Sequence, residues 1–146
     1  MARKKKSELE IETTVEKSVK RRSGKYSKTK GSNYERKIAK ELQDIGFTGV
    51  VTSRAESKKM DDQKVDLIDT EGLLPISIQL KCTQVTPSYF KIQEECPIKD
   101  KPFCIIWNKQ EKREVNCVSA GEVAMIPKEF LYQLLQIYLQ YEFLTK

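Results

Sequence analysis

Residues 76–83, Ile-Ser-Ile-Gln-Leu-Lys-Cys-Thr, decide the fold. Ile76, Ile78 and Leu80 alternate with Ser77, Gln79 and Lys81, the period-2 pattern of a half-buried strand. A second strand-like run, VDLID at 65–69, precedes it across TEGLLP, whose Gly72 and Pro75 mark a turn. Paired as an antiparallel hairpin around Gly72, the two runs set Ile76 against Asp69 and Gln79 against Asp66. Directly opposed residues stand about 5 Å apart at Cβ. Lys81 follows two residues on and shares their face, so the hairpin gathers a carboxylate, an amide oxygen and an ammonium.

Outward from the hairpin, GSNYERKIAKELQDIGF at 31–47 carries Tyr34, Ile38, Leu42 and Ile45 at helical spacing. Ser32 is suited to an N-cap and Gly46 to a stop, which predicts a helix of about 13 residues. Glu35, Ile38, Leu42 and Ile45 form one row, so Glu35 heads the stripe that faces the sheet, where a charge is costly unless something uses it. Ser32-Asn33-Tyr34-Glu35 also reads as a capping box, which offers Glu35 a structural role instead.

GVVTSRA at 49–55 is a short strand, ESKKMDDQK at 56–64 a polar segment, and PFCIIWN at 102–108 a strand apolar on both faces. EVNCVSA at 114–120 is a further strand. PKEFLYQLLQIYLQYEFL at 127–144 is a long helix with Pro127 in its first turn. Its apolar residues outnumber what one sheet contact needs, which points to a dimer contact. The order helix, three strands, connection, strand, helix predicts an α/β fold on a mixed sheet.

Charge is unevenly placed. The chain has 146 residues and a formal net charge of +6, yet residues 1–30 hold eleven Lys or Arg against four Glu. The remaining 116 residues are close to neutral, with sixteen basic and seventeen acidic side chains. Residues 1–30 therefore read as a disordered basic tail and residues 31–146 as the folded domain. The tail has no amphipathic apolar face, which favours nucleic acid over a membrane surface as its partner. With no apolar run of transmembrane length and no apolar segment after the basic leader, the expectation is an intracellular protein without membrane contact.

Cys82, Cys96, Cys104 and Cys117 are spaced unlike any zinc pattern and read as reduced thiols. Histidine is absent, which excludes histidine general bases, Ser-His triads and His-metal sites. Chemistry here falls to carboxylates, lysine, hydroxyls or an oxygen-liganded metal.

An early helical Glu, then V-D-L, then a strand with acid-x-Lys resembles the PD-(D/E)xK nuclease superfamily. The finer pattern is similar to Holliday junction resolvases of the archaeal and phage type: Lys30, Gly31, Ser32, Glu35 and Arg36, then Ser53 and Arg54, then Val65, Asp66 and Leu67, then Gln79 and Lys81. It covers residues 30–83; beyond them only element order agrees. Two positions depart, Val65 for the proline and Gln79 for the second acid.

The resemblance implies a restriction-endonuclease-like α-β-β-β-α-β core and hydrolysis of DNA phosphodiesters. It implies Mg²⁺ or Mn²⁺ held by Asp66 and Gln79, with Glu35 through water, and Lys81 beside the reacting phosphate. An amide oxygen suits a hard cation, though it adds no charge. Lys30, Ser32, Arg36, Ser53, Arg54, Lys58 and Lys59 are the implied DNA contacts. Asp61 and Asp62 read as solvated charge before ligands. The implied substrate is branched DNA cut by a homodimer, in cytoplasm or nucleoid, or in the host cytoplasm for a phage-encoded chain. A catalytically weak or inactive DNA-binding module on the same fold, and a restriction- or repair-type nuclease acting on other DNA forms, stand as alternatives.

Overall fold

The computed structural model describes residues 24–56 and 65–146. Lys58, Lys59, Asp61, Asp62 and the leader through residue 23 lie outside the described residues. The chain divides into two units, Met1–Lys30 and Gly31–Lys146. In chain order the elements are α1 (Gly24–Asp44), β1 (Val50–Thr52), α2 (Ser53–Glu56), β2 (Leu67–Asp69), β3 (Ser77–Thr83), α3 (Tyr89–Glu95), β4 (Phe103–Lys112), β5 (Cys117–Met125) and α4 (Lys128–Leu144).

The strands form one mixed sheet in the order β1-β2-β3-β4-β5. The pairs β1–β2, β2–β3 and β4–β5 are antiparallel, and β3–β4 is parallel. A parallel pair needs a crossover, and α3 lies within it. The architecture is α/β with helices on a mixed open sheet.

Leu67 pairs with Ile78, as expected around Gly72, and Asp66 just before β2 donates its N–H to the carbonyl of the same Ile78 (3.1 Å). The turn is built by Asp69. Its carboxylate accepts the N–H groups of Glu71 (3.0 Å), Leu73 (2.6 Å) and Leu74 (2.7 Å), and Gly72 supplies a positive φ of 70°. Gly49 lies against this turn, where an added Cβ would come within 2.6 Å of Asp69 Oδ1.

Even-numbered residues of β3 face one core and odd-numbered residues the other face of the sheet. Ile78 and Leu80 pack with Tyr34, Ile38 and Ala39 of α1, and with Val50, Leu67, Leu74 and Cys104. The opposite face carries Val65, Cys96, Phe103 and Ile105, covered by Tyr89 and Ile92 of α3. Burial pushes the Cys104 thiol up to about 11.

Helix α1 ends as expected and starts elsewhere. The Gly46 N–H bonds Gln43 O and the Phe47 N–H bonds Leu42 O, with Gly46 at φ 119°, a Schellman ending in which Leu42 and Phe47 both join the core. The helix starts at Gly24, ahead of the N-cap expected at Ser32, so residues 24–30 are helical. Lys, Tyr and Ser tolerate a helix there, and extending an existing helix costs far less than nucleating one. Ser32 is therefore inside the helix and caps nothing. Ile45, expected on the core row, is past the last turn and 72 % exposed.

Strand β4 also runs further than PFCIIWN, to Lys112. Its inner edge is polar: Gln110 Nε2 donates to Asn108 Oδ1, Asn108 Nδ2 donates to Glu122 Oε1 (2.9 Å), and Lys37 of α1 closes the chain on the same Glu122 oxygen (2.9 Å). Among the described residues no helix is long and apolar enough to cross a membrane.

Candidate metal and phosphate site at the β2–β3 fork

Strands β2 and β3 share one ladder pair, Leu67–Ile78, and Asp66 stands where they part. Its backbone is tied on both sides: Ser53 N–H donates to Asp66 O (2.9 Å), and Asp66 N–H donates to Ile78 O (3.1 Å). The side chain continues the ladder, with Oδ2 accepting the Leu80 N–H at 2.6 Å. A carboxylate held by a backbone amide has one position, which suits a group that must hold something else.

Gln79 lies between Ile78 and Leu80, the two β3 residues whose backbone groups meet Asp66. The parallel register places it beside Ile105 and places Lys81 beside Trp107, on the sheet face covered by α3. Gln79 is 7 % exposed, and among the described residues its buried Oε1 has no hydrogen-bond partner. Buried polar atoms are nearly always paired, so an orphan acceptor identifies a place for a donor or a cation. Lys81 is half-buried, two residues further along the same face. Trp107 Nε1 donates to Thr83 O and to Thr83 Oγ1, both at 3.1 Å, and so pins the end of β3 beyond Lys81.

Glu35 is 6 % exposed, as the row argument required. With Ser32 inside the helix, the capping-box role is gone, because N3 of a helix starting at Gly24 falls well before Glu35. Its partner is Arg54, whose Nη2 lies 3.4 Å from Glu35 Oε1 and whose side chain is half exposed. The structure thus joins two residues expected in separate roles, a metal ligand and a phosphate contact. Helix α1 packs on the sheet face opposite Gln79, and its Glu35 orients a guanidinium that reaches solvent.

Other expected contacts divide by exposure. Arg36 is exposed; Lys30 and Ser32 are half-buried. Ser53 is buried, at 1 % exposure, and it serves the β1–β2 connection through its amide. The alternation rule hid this, because α2 starts at Ser53 and turns the chain where an extended strand was expected.

Asn108 and Gln110 were missed as buried polar residues. Their signal was the period-2 continuation Ile106-Asn108-Gln110 past the apolar run. A cavity of about 500 Å³ lies beyond Ser77, lined by Ile68, Leu74, Ile76, Ile98 and Lys101 among others, and does not include Asp66, Gln79 or Lys81.

The fit to a divalent cation rests on donor chemistry. Asp66 offers a carboxylate and Gln79 an unsatisfied amide oxygen, both hard oxygen donors of the kind Mg²⁺ takes. Among the described residues no three His, Cys, Asp or Glu side chains form a group that could hold a metal, so a cation here would rely on the amide. Compared with models of known families, with curated proteins and with solved structures, the chain matches none.

Proposed function

We propose that this chain is a metal-dependent DNA endonuclease of the PD-(D/E)xK type, acting on branched DNA as a pair of copies. The observation that carries the reading is the buried Gln79 Oε1, which has no partner among the described residues, between the two β3 residues that meet Asp66, with Lys81 on the same strand face. A buried amide oxygen left unmet is costly, which supports a ligand at this fork.

In this reading Asp66 and Gln79 hold Mg²⁺ or Mn²⁺, which when bound polarises a phosphate and lowers the pKa of an attacking water. Lys81 places positive charge where the phosphate gains negative charge. Glu35 acts as a positioning residue: it fixes Arg54 so that the guanidinium meets a neighbouring phosphate in one orientation. The excess basic charge of residues 1–30 adds sequence-independent attraction to DNA.

The test is nicking of a labelled four-way junction, a flap and linear duplex, with Mg²⁺ and with EDTA. Asp66→Asn keeps an acceptor for the Leu80 amide and Lys81→Ala leaves a half-exposed position, so both variants should fold. Cleavage should need the metal and fall by about 100-fold or more in each variant, the scale of losing one charge-stabilising group, while DNA binding survives. Full activity in either variant, or cleavage in EDTA, defeats the reading.

A further inference from the structure

Helix α4 is the least settled surface of the fold. Of its 17 residues only Phe130 is buried. Ten large apolar side chains on it, from Leu131 to Leu144, are between 41 % and 86 % exposed. Placed on a helical wheel, Gln133, Gln136 and Gln140 fall with Glu129 on one narrow stripe. The apolar residues occupy the rest of the circumference, around both flanks of Phe130, with Lys128 and Glu142 among them near the two ends of the helix. Contact through Phe130 therefore covers a small part of the apolar arc. A helix that is apolar most of the way round is stable in water only when buried.

We infer that the apolar arc of α4 is the interface with a second copy of this chain, the two α4 helices packing on each other with their glutamine stripes outward. Three observations select a second copy as the occupant. The exposed residues offer on the order of 1,000 Å² of surface, against about 800 Å² per partner in a stable interface. The arc is continuous along the helix, so a two-fold axis across it makes the surface self-complementary, with each Leu or Tyr meeting an equivalent apolar site. The helix carries only Lys128, Glu129 and Glu142 as charges, so two copies meet without strong repulsion. The inference deepens the proposed function by naming the surface through which two sites would be held at a fixed separation. It is read from mass, not from cleavage, so the two readings fail separately.

The experiment is light scattering of the full chain after size exclusion, at about 100 µM, where interfaces of this size should be largely associated. The expected mass is twice the 16.9 kDa of one chain. The double variant Leu135→Glu, Tyr138→Glu alters two exposed positions and should halve the mass while leaving the far-ultraviolet circular dichroism unchanged. Gln136→Glu, on the polar stripe, should stay at the larger mass. A wild-type monomer at this concentration overturns the inference, as does a double variant that remains paired. Flotation of the wild-type chain as a monomer with phosphatidylcholine–phosphatidylserine vesicles would assign the arc to a lipid surface and overturn it as well.

Discussion

Two neighbouring strands bury side-chain amides, and they treat them oppositely. On β4, Asn108 and Gln110 belong to a chain of hydrogen bonds that ends on Glu122 and Lys37 at the surface. On β3, Gln79 is as deeply buried, and its oxygen meets no donor among the described residues. The first arrangement is complete within the domain and ties α1 to the sheet edge. The second is complete only when something else arrives. Burial alone does not distinguish structural from functional polar residues; satisfaction does.

The sharpest way to break that contrast is to replace both amides by leucine. Gln110→Leu leaves Asn108 Oδ1 without its donor and should destabilise the fold by about 1–3 kcal/mol, the cost of an unsatisfied buried acceptor. Nicking at a temperature where the variant is folded should be unchanged. Gln79→Leu removes an acceptor with no partner among the described residues, so stability should hold or rise, while nicking falls by about 100-fold or more. Urea denaturation and junction cleavage on the same two proteins decide the matter. If Gln79→Leu is the less stable of the two, its oxygen has an internal partner and the contrast collapses.

A smaller effect refines the contrast, since Gln79→Glu adds charge where the cation would sit. Without metal the variant should be less stable than wild type, because a second carboxylate joins Asp66 in a buried place. With Mg²⁺ it should recover. A ligand that binds only the folded state stabilises by about 2.7 kcal/mol at one hundred times its dissociation constant, and a tighter site reaches that gain at lower metal concentration. Thermal melts across a Mg²⁺ titration report this without any substrate. Equal Mg²⁺-induced shifts in variant and wild type would place residue 79 away from the cation.

How far the sequence revealed these features follows from the range of the interactions involved. The hairpin was legible because alternation and a glycine turn are local: Ile78 and Leu80 face the core, Leu67 pairs with Ile78, and Gly46 stops α1. The burial of Glu35 was legible too, because its spacing to Ile38 placed it on the apolar row. Its partner was not, since the Arg54 contact is made across the fold by a turn of helix at α2. Ser32 looked like a cap because Ser-x-x-Glu is a local signal, yet helix continuation from Gly24 overrode it. The solitude of Gln79 Oε1 could not be read at all, because satisfaction is a property of everything that fails to reach an atom.

The smallest expected effect concerns Asp69, three residues from Asp66 and its opposite in kind. Asp66 gives one oxygen to a backbone amide at an open fork, whereas Asp69 spends both oxygens closing a turn. Partial desolvation pushes the Asp69 carboxyl up, but the N–H groups of Leu74, Glu71 and Leu73, with the charge of Lys101, outweigh it and hold the group below its ordinary 3.8. A carboxyl with a lower value folded than unfolded binds its proton more weakly in the native state. Its contribution to stability is therefore full above about pH 5 and is lost as pH falls through the folded value. Asp69→Asn keeps a side-chain acceptor for the turn but cannot titrate. Wild-type urea midpoints measured from about pH 5 down to about pH 2 should approach those of the variant as the carboxyl takes up its proton. Midpoint curves that stay parallel over that range would mean the turn is held by Gly72 and Gly49 alone, and that Asp69 is no more engaged than an exposed side chain.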